Sequence, residues 1–167
     1  MKKIIFSHGK ESGPWGTKIK YLAEIASENG YGYVVESIDY TNTEDQDERV
    51  SMLKNHVQNE NTGELVLVGS SMGGYVSTVF ASQHPIKGLF LLAPALYIPN
   101  WGLQEYQPQC EKVAVVHGWH DDVIPLDNSI KFARENNCTL HVVNSDHRLN
   151  DKLELLGGLF LLFLRGL

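Results

Sequence analysis

Short apolar, β-rich runs alternate with helical patterns along the entire chain, and this alternation most limits the folds open to it. The strand candidates are Lys3–Ser7, Tyr33–Ile38, Leu65–Val68, Gly88–Leu92, Val113–His117 and Leu140–Val143. Several are apolar throughout, as in Gly88-Leu89-Phe90-Leu91-Leu92, which is how strands covered on both faces read in a parallel sheet. Between them lie helical patterns at 17–29, 46–58, 74–83, 127–136 and 151–164. Ile19, Leu22, Ala23, Ile25 and Ala26 make one apolar face of the first. Thr17 is expected to cap that helix and Gly30 to stop it, while Asp127 and Asn150 are expected to cap the last two. Strand–helix repetition with short links predicts an α/β three-layer sandwich: a mostly parallel six-stranded sheet with helices on both faces.

At 167 residues the chain reads as one domain, 1–167. A short cap-like insertion is expected at 94–111, where Pro94, Pro99 and Pro108 interrupt any regular element. The net charge of −6 supplies no basic face for nucleic acid or anionic lipid. Cys110 and Cys138 belong to no C-x-x-C pair, so neither a zinc site nor a redox motif is suggested. Lys3-Ile4-Ile5-Phe6 is too short for a secretory apolar core, and the run Leu153–Leu167 is too short and too interrupted to span a bilayer. The expectation is a cytoplasmic protein with reduced thiols and no membrane span.

Chemistry enters at Gly69-Ser70-Ser71-Met72-Gly73. This G-x-S-x-G follows an apolar strand candidate and opens a helical stretch, the context of a nucleophile elbow. In such a turn the serine is strained, its Oγ stands above the sheet, and the flanking glycines avoid collisions. Ser71 is the candidate nucleophile; Ser70 is one residue off the elbow. A serine hydroxyl needs a base within hydrogen-bond reach, and the base needs an orienting acid. In a parallel sheet these gather at the carboxyl ends of strands. Asp121 and Asp122 follow the Val113–His117 strand, and His147 follows the Leu140–Val143 strand. His147 is the expected base and His120 its rival. Asp146 is disfavoured as orienter because it adjoins His147. His8 and His117 precede glycines at strand ends and are expected to brace loops. His117-x-x-His120-Asp121 lacks convincing metal geometry, so no metal or other cofactor is expected.

The order Ser71, Asp121, His147, with His117-Gly118-x-x-Asp121-x-x-Ile124-Pro125 around the acid and His8-Gly9 after the first strand, resembles the α/β-hydrolase superfamily. The resemblance covers nearly the whole chain. It implies that the acid is Asp121, that the strand order is 2-1-3-4-5-6 with all strands parallel, and that two strands of larger members are missing. It also implies an oxyanion hole made by the backbone N–H of Met72 and one from the loop after β-strand 1, at Lys10 or else Glu11. With Ser12-Gly13-Pro14-Trp15-Gly16 after the first strand, the chain is similar to small esterases and thioesterases of this superfamily, near-lidless ones, and to the mammalian acyl-glucuronide esterase and depalmitoylating thioesterase subgroup. The implied substrate is a small ester or thioester. Trp15, Tyr75, Leu96, Tyr97, Trp101, Trp119 and His120 are candidate pocket residues. The alternative function is a binding or interaction module that keeps the fold with little turnover.

Overall fold

A computed structural model describes residues 1–29 and 31–167, so the stop expected at Gly30 falls outside the described residues. Six strands form one sheet: β1 (Lys3–Ser7), β2 (Val34–Ile38), β3 (Leu65–Ser70), β4 (Ile86–Leu92), β5 (Cys110–Gly118) and β6 (Thr139–Val143). Their order is β2-β1-β3-β4-β5-β6, and every pair is parallel. The helices are α1 (Thr17–Glu28), α2 (Gln46–His56), α3 (Met72–Gln83), α4 (Leu126–Asn136) and α5 (Leu153–Arg165).

Side chains alternate across the strands, which makes two cores rather than one. Ile4, Phe6, Val66, Val68, Phe90 and Leu92 face α1 and α5 on one side. Ile5, Leu65, Leu67, Leu89, Leu91 and Val115 face α2, α3 and α4 on the other. Phe160 of α5 is fully buried and packs edge-on to Phe6 and at a tilt to Phe90, with ring centroids 6.3 and 5.0 Å apart. The central strands are therefore apolar on both faces. This double coverage accounts for the continuous apolar runs in the sequence.

Element ends differ from expectation in instructive ways. Gly16 is the N-cap of α1, with Lys20 N–H bonded to its carbonyl, and Thr17 is the first helical residue with no capping bond. Pro125 precedes α4, which leaves Asp127 inside the first turn, where its charge still favours the helix N-terminus. A 3₁₀ turn over Asn150–Lys152 leads into α5, so Asn150 sits before that turn's end and caps nothing. The working side-chain cap is Asp45, which accepts the N–H groups of Asp47 and Glu48 at the start of α2. β5 begins at Cys110, so Cys110 and Glu111 are strand residues and the irregular link ends at Gln109. Among the described residues, no helix is long and apolar enough to cross a membrane.

Candidate active site

Ser71 stands between the end of β3 and the first residue of α3, with φ 53° and ψ −117°. A non-glycine residue there is strained by about 1–3 kcal/mol, which its surroundings must outweigh. They hold it on both sides: Ser71 N–H donates to the Leu92 carbonyl (3.0 Å), and the Ser71 carbonyl accepts from Ala95 N–H (2.9 Å). The flanking glycines are sterically compelled. A Cβ on Gly69 would lie 2.3 Å from the Gly73 carbonyl oxygen, and one on Gly73 would lie 1.9 Å from the Ser7 carbonyl oxygen. Gly74 is a third such position, since its Cβ would lie 2.6 Å from the Pro94 side chain.

Three side chains from distant loops meet above the sheet. His147 Nε2 lies 3.0 Å from Ser71 Oγ, and His147 Nδ1 lies 2.7 Å from Asp121 Oδ2. With Nδ1–H donating to the carboxylate, Nε2 is free to accept the serine proton. The Asp121 side chain is fully buried and His147 is 16% exposed. Asp121 Oδ1 accepts the N–H groups of Val123 and Ile124, while Oδ2 also lies 3.0 Å from His117 Nε2. Burial alone would raise the Asp121 pKa. The hydrogen bonds from His117, His147, Ile124 N–H and Val123 N–H outweigh it and hold the carboxyl well below the usual range.

The rivals lie elsewhere. Asp122 is exposed, and Asp146 accepts the N–H groups of Arg148 and Leu149 as a turn brace. His120 Nε2 bonds to Asn144 Oδ1 at 2.9 Å and lines a surface cleft with Asn144, Asp146 and Arg148; Ser71 does not line that cleft. The acid and base loops are stapled together. His120 N–H donates to the Ser145 carbonyl, and a Cβ on Gly118 would lie 2.3 Å from that same oxygen. Close approach of the two backbones thus requires glycine at 118.

Met72 is the first residue of α3, so its N–H has no intrahelical acceptor and is available to a ligand. Lys10 follows β1 in the loop that faces the elbow; a Cβ on Gly9 would touch Ser71 Cβ at 3.4 Å. Both backbone N–H groups lack a backbone acceptor among the described residues.

The expected pocket is only partly reproduced. Tyr75 and Leu96 are fully buried and belong to the core beneath α3, so neither is a solvent-facing wall. Tyr75 Oη instead donates to Asp47 (2.6 Å) and accepts from Leu103 N–H, tying the 93–109 link to α2. Tyr97 and Trp101 are half-buried in that link, with Tyr97 Oη bonded to Glu135. Trp15 and Trp119 are exposed, at 50% and 62%. They lie in the loops after β1 and β5, at the carboxyl ends of the strands, as Ser71 does after β3.

Two buried residues near the site escaped the sequence reading. His117 was expected only to brace a loop. It does so through the Ile124 carbonyl and Ser129, and it also touches the acid. Arg49 reads in sequence as a solvated residue, since a basic residue on a polar helix ordinarily faces water. Its one signal is register: it lies four residues before the buried Leu53, on the same helix face.

Residues 3–106 match the model of the Uncharacterised protein family (UPF0227). The chain belongs to UPF0227. The matched stretch holds the elbow, Arg49 and the loop after β1, and it stops before Asp121 and His147. Comparison with curated proteins finds no match. Among solved structures, the UPF0227 chain is similar to a hydrolase-superfamily (alpha/beta) protein of Xanthomonas campestris pv. campestris, with 26% identity, a TM-score of 0.85 and full coverage of both chains. It is similar in fold to Est1E from Butyrivibrio proteoclasticus, with 18% identity and a TM-score of 0.84 over 99% of this chain and 87% of that one. It is also similar in fold to a lidless a/b serine hydrolase from Xanthomonas campestris, with 19% identity and a TM-score of 0.72 over 97% and 81%. This UPF0227 protein thus has the α/β-hydrolase fold in a small form, and its structural neighbours include hydrolases.

Proposed function

We propose that this protein is a serine hydrolase that cleaves small carboxylic esters or thioesters through an acyl-enzyme on Ser71. The observation that carries the reading is the hydrogen-bonded line Ser71–His147–Asp121, assembled from three loops at one end of the sheet. His147 takes the Ser71 proton as Oγ attacks the acyl carbon, and Asp121 stabilises the imidazolium without accepting its proton. The N–H groups of Met72 and Lys10 hold the oxyanion, each worth about 3 kcal/mol in the transition state. His147 then protonates the leaving alcohol or thiol, and water repeats the sequence to free the acid. The link after β4 acts as a short cap that leaves the site open, in keeping with a lidless relative of the same fold. Exposed Trp15 and Trp119, in the loops after β1 and β5, are the residues proposed to meet an apolar acyl group.

The test is intact-mass spectrometry after treatment with a fluorophosphonate, beside hydrolysis of p-nitrophenyl esters of graded chain length. One adduct at Ser71 is expected, absent from Ser71→Ala, with kcat of that variant down about 10⁶-fold. A folded wild-type protein that takes no adduct would refute the reading and leave a binding module on this fold.

A further inference from the structure

Arg49 is 1% exposed, and none of the ion pairs among the described residues includes it. Bringing a guanidinium into the interior without a carboxylate costs several kcal/mol, so its position must be held by other contacts. Those contacts are almost all carbonyl oxygens. Nη1 donates to the His8 and Gly9 carbonyls, both at 3.2 Å, and Nε donates to the Thr43 carbonyl at 3.0 Å. The guanidinium also lies over the Tyr40 ring, 5.4 Å from its centroid. Arginine keeps its charge at any working pH even though burial lowers its pKa.

The Gly9 carbonyl has a second grip. His8 Nε2 accepts the Tyr40 N–H (2.9 Å), which places the ring proton on Nδ1, and Nδ1 lies 2.7 Å from the Gly9 oxygen. Burial lowers the His8 pKa, consistent with the neutral ring this arrangement needs. The peptide joining Gly9 to Lys10 is therefore held at its oxygen from below by two donors. In a trans peptide the carbonyl and the following N–H point in opposite directions, so the Lys10 N–H is turned away from Arg49. Gly9 itself rests against Ser71.

We infer that Arg49 is a positioning residue for the oxyanion hole: with His8 it clamps the Gly9 carbonyl and thereby aims the Lys10 N–H at the oxyanion. The inference rests on the serine-hydrolase reading.

The test compares wild type, Arg49→Met, Lys10→Pro and the double variant, with fold checked by far-UV circular dichroism and thermal melting. Lys10→Pro deletes the donor hydrogen itself. Arg49→Met is expected to lower both kcat for p-nitrophenyl acetate and the rate of Ser71 phosphonylation about 10²-fold, with KM nearly unchanged. After Lys10→Pro, adding Arg49→Met is expected to cost little more, because both act through one N–H. Wild-type kcat in folded Arg49→Met, or effects that multiply in the double variant, would overturn the inference. If Arg49→Met does not fold, Arg49→Lys decides in its place: it keeps the charge but not the planar fork, so kcat should fall about tenfold, again without multiplying with Lys10→Pro. Wild-type kcat in Arg49→Lys overturns the inference. Absence of a Ser71 adduct on wild type overturns the hydrolase reading and this inference with it, whereas a normal wild-type adduct with an unaffected Arg49→Met overturns this inference alone.

Discussion

Asp121 has more partners than any other residue of the site: two histidines and two backbone N–H groups converge on one buried carboxylate. Each bond stabilises the ionised form, so the folded pKa lies below the unfolded value of about 3.9. The sign follows from proton counting. A depressed carboxyl contributes stability that is complete above its unfolded pKa and is lost as pH falls toward the folded pKa. Asp121→Asn should therefore be less stable than wild type at pH 7 by urea unfolding, and the gap should narrow below about pH 4. A gap that stays constant down to pH 3 would contradict the hydrogen-bonded carboxylate. Activity at neutral pH should fall about 10⁴-fold in the same variant, because an amide holds the wrong imidazole tautomer. His147 and Ser71 were legible as chemistry because a serine elbow demands a base. The residues alone left Asp121 and Asp122 open and the resemblance to the α/β-hydrolase motif implied Asp121; the structure puts Asp121 against the base and Asp122 in solvent.

At the scale of elements, α2 matters more than its sequence suggests. It lacks a clean apolar stripe, yet it carries Arg49 beneath the loop after β1 and Asp47 against Tyr75 and Gly102. Its start depends on Asp45, whose carboxylate satisfies two orphan N–H groups. Asp45→Ala should cost about 1 kcal/mol and lower the melting temperature by about 2–4 °C. An unchanged melting temperature would rule out the capping role. The caps expected at Thr17, Asp127 and Asn150 failed for a common reason. Cap preference is a local signal, whereas each helix's first turn is set by where its loop leaves the sheet, and a shift of one to three residues leaves the polar side chain inside the helix or before it.

The whole molecule is a sheet shielded on both sides, and its thiols report that shielding. Cys110 opens β5 and Cys138 immediately precedes β6, neighbouring strands at one edge region of the sheet. Burial pushes the Cys110 thiol up to about 12 and the Cys138 thiol up to about 11. Thiolate, the reactive form, is then scarce at neutral pH. Iodoacetamide at pH 8 should modify neither cysteine on the timescale that labels the urea-unfolded chain fully, as read by intact mass. Rapid labelling of the native protein would contradict the raised thiol pKa of these half-buried residues. Because the two cysteines lie at the starts of neighbouring strands, their labelling should rise together through the unfolding transition.

What the sequence determined by itself was periodic and local. Continuous apolar runs mark strands covered on both faces, and Gly69 of the G-x-S-x-G turn answers a clash with Gly73 a few residues on. Both leave a periodic or short-range mark along the chain, so both can be read from it. Tertiary structure alone decided which side chains are buried where they might have been exposed. Tyr75 and Leu96 look like pocket walls in sequence and lie in the core, while Arg49 looks like a solvated helix residue and lies beneath Gly9. Arg49 meets Gly9 across forty positions and His147 meets Ser71 across seventy-six. Contacts at that separation are fixed by strand order and by the angle at which each helix packs, and no local pattern encodes either.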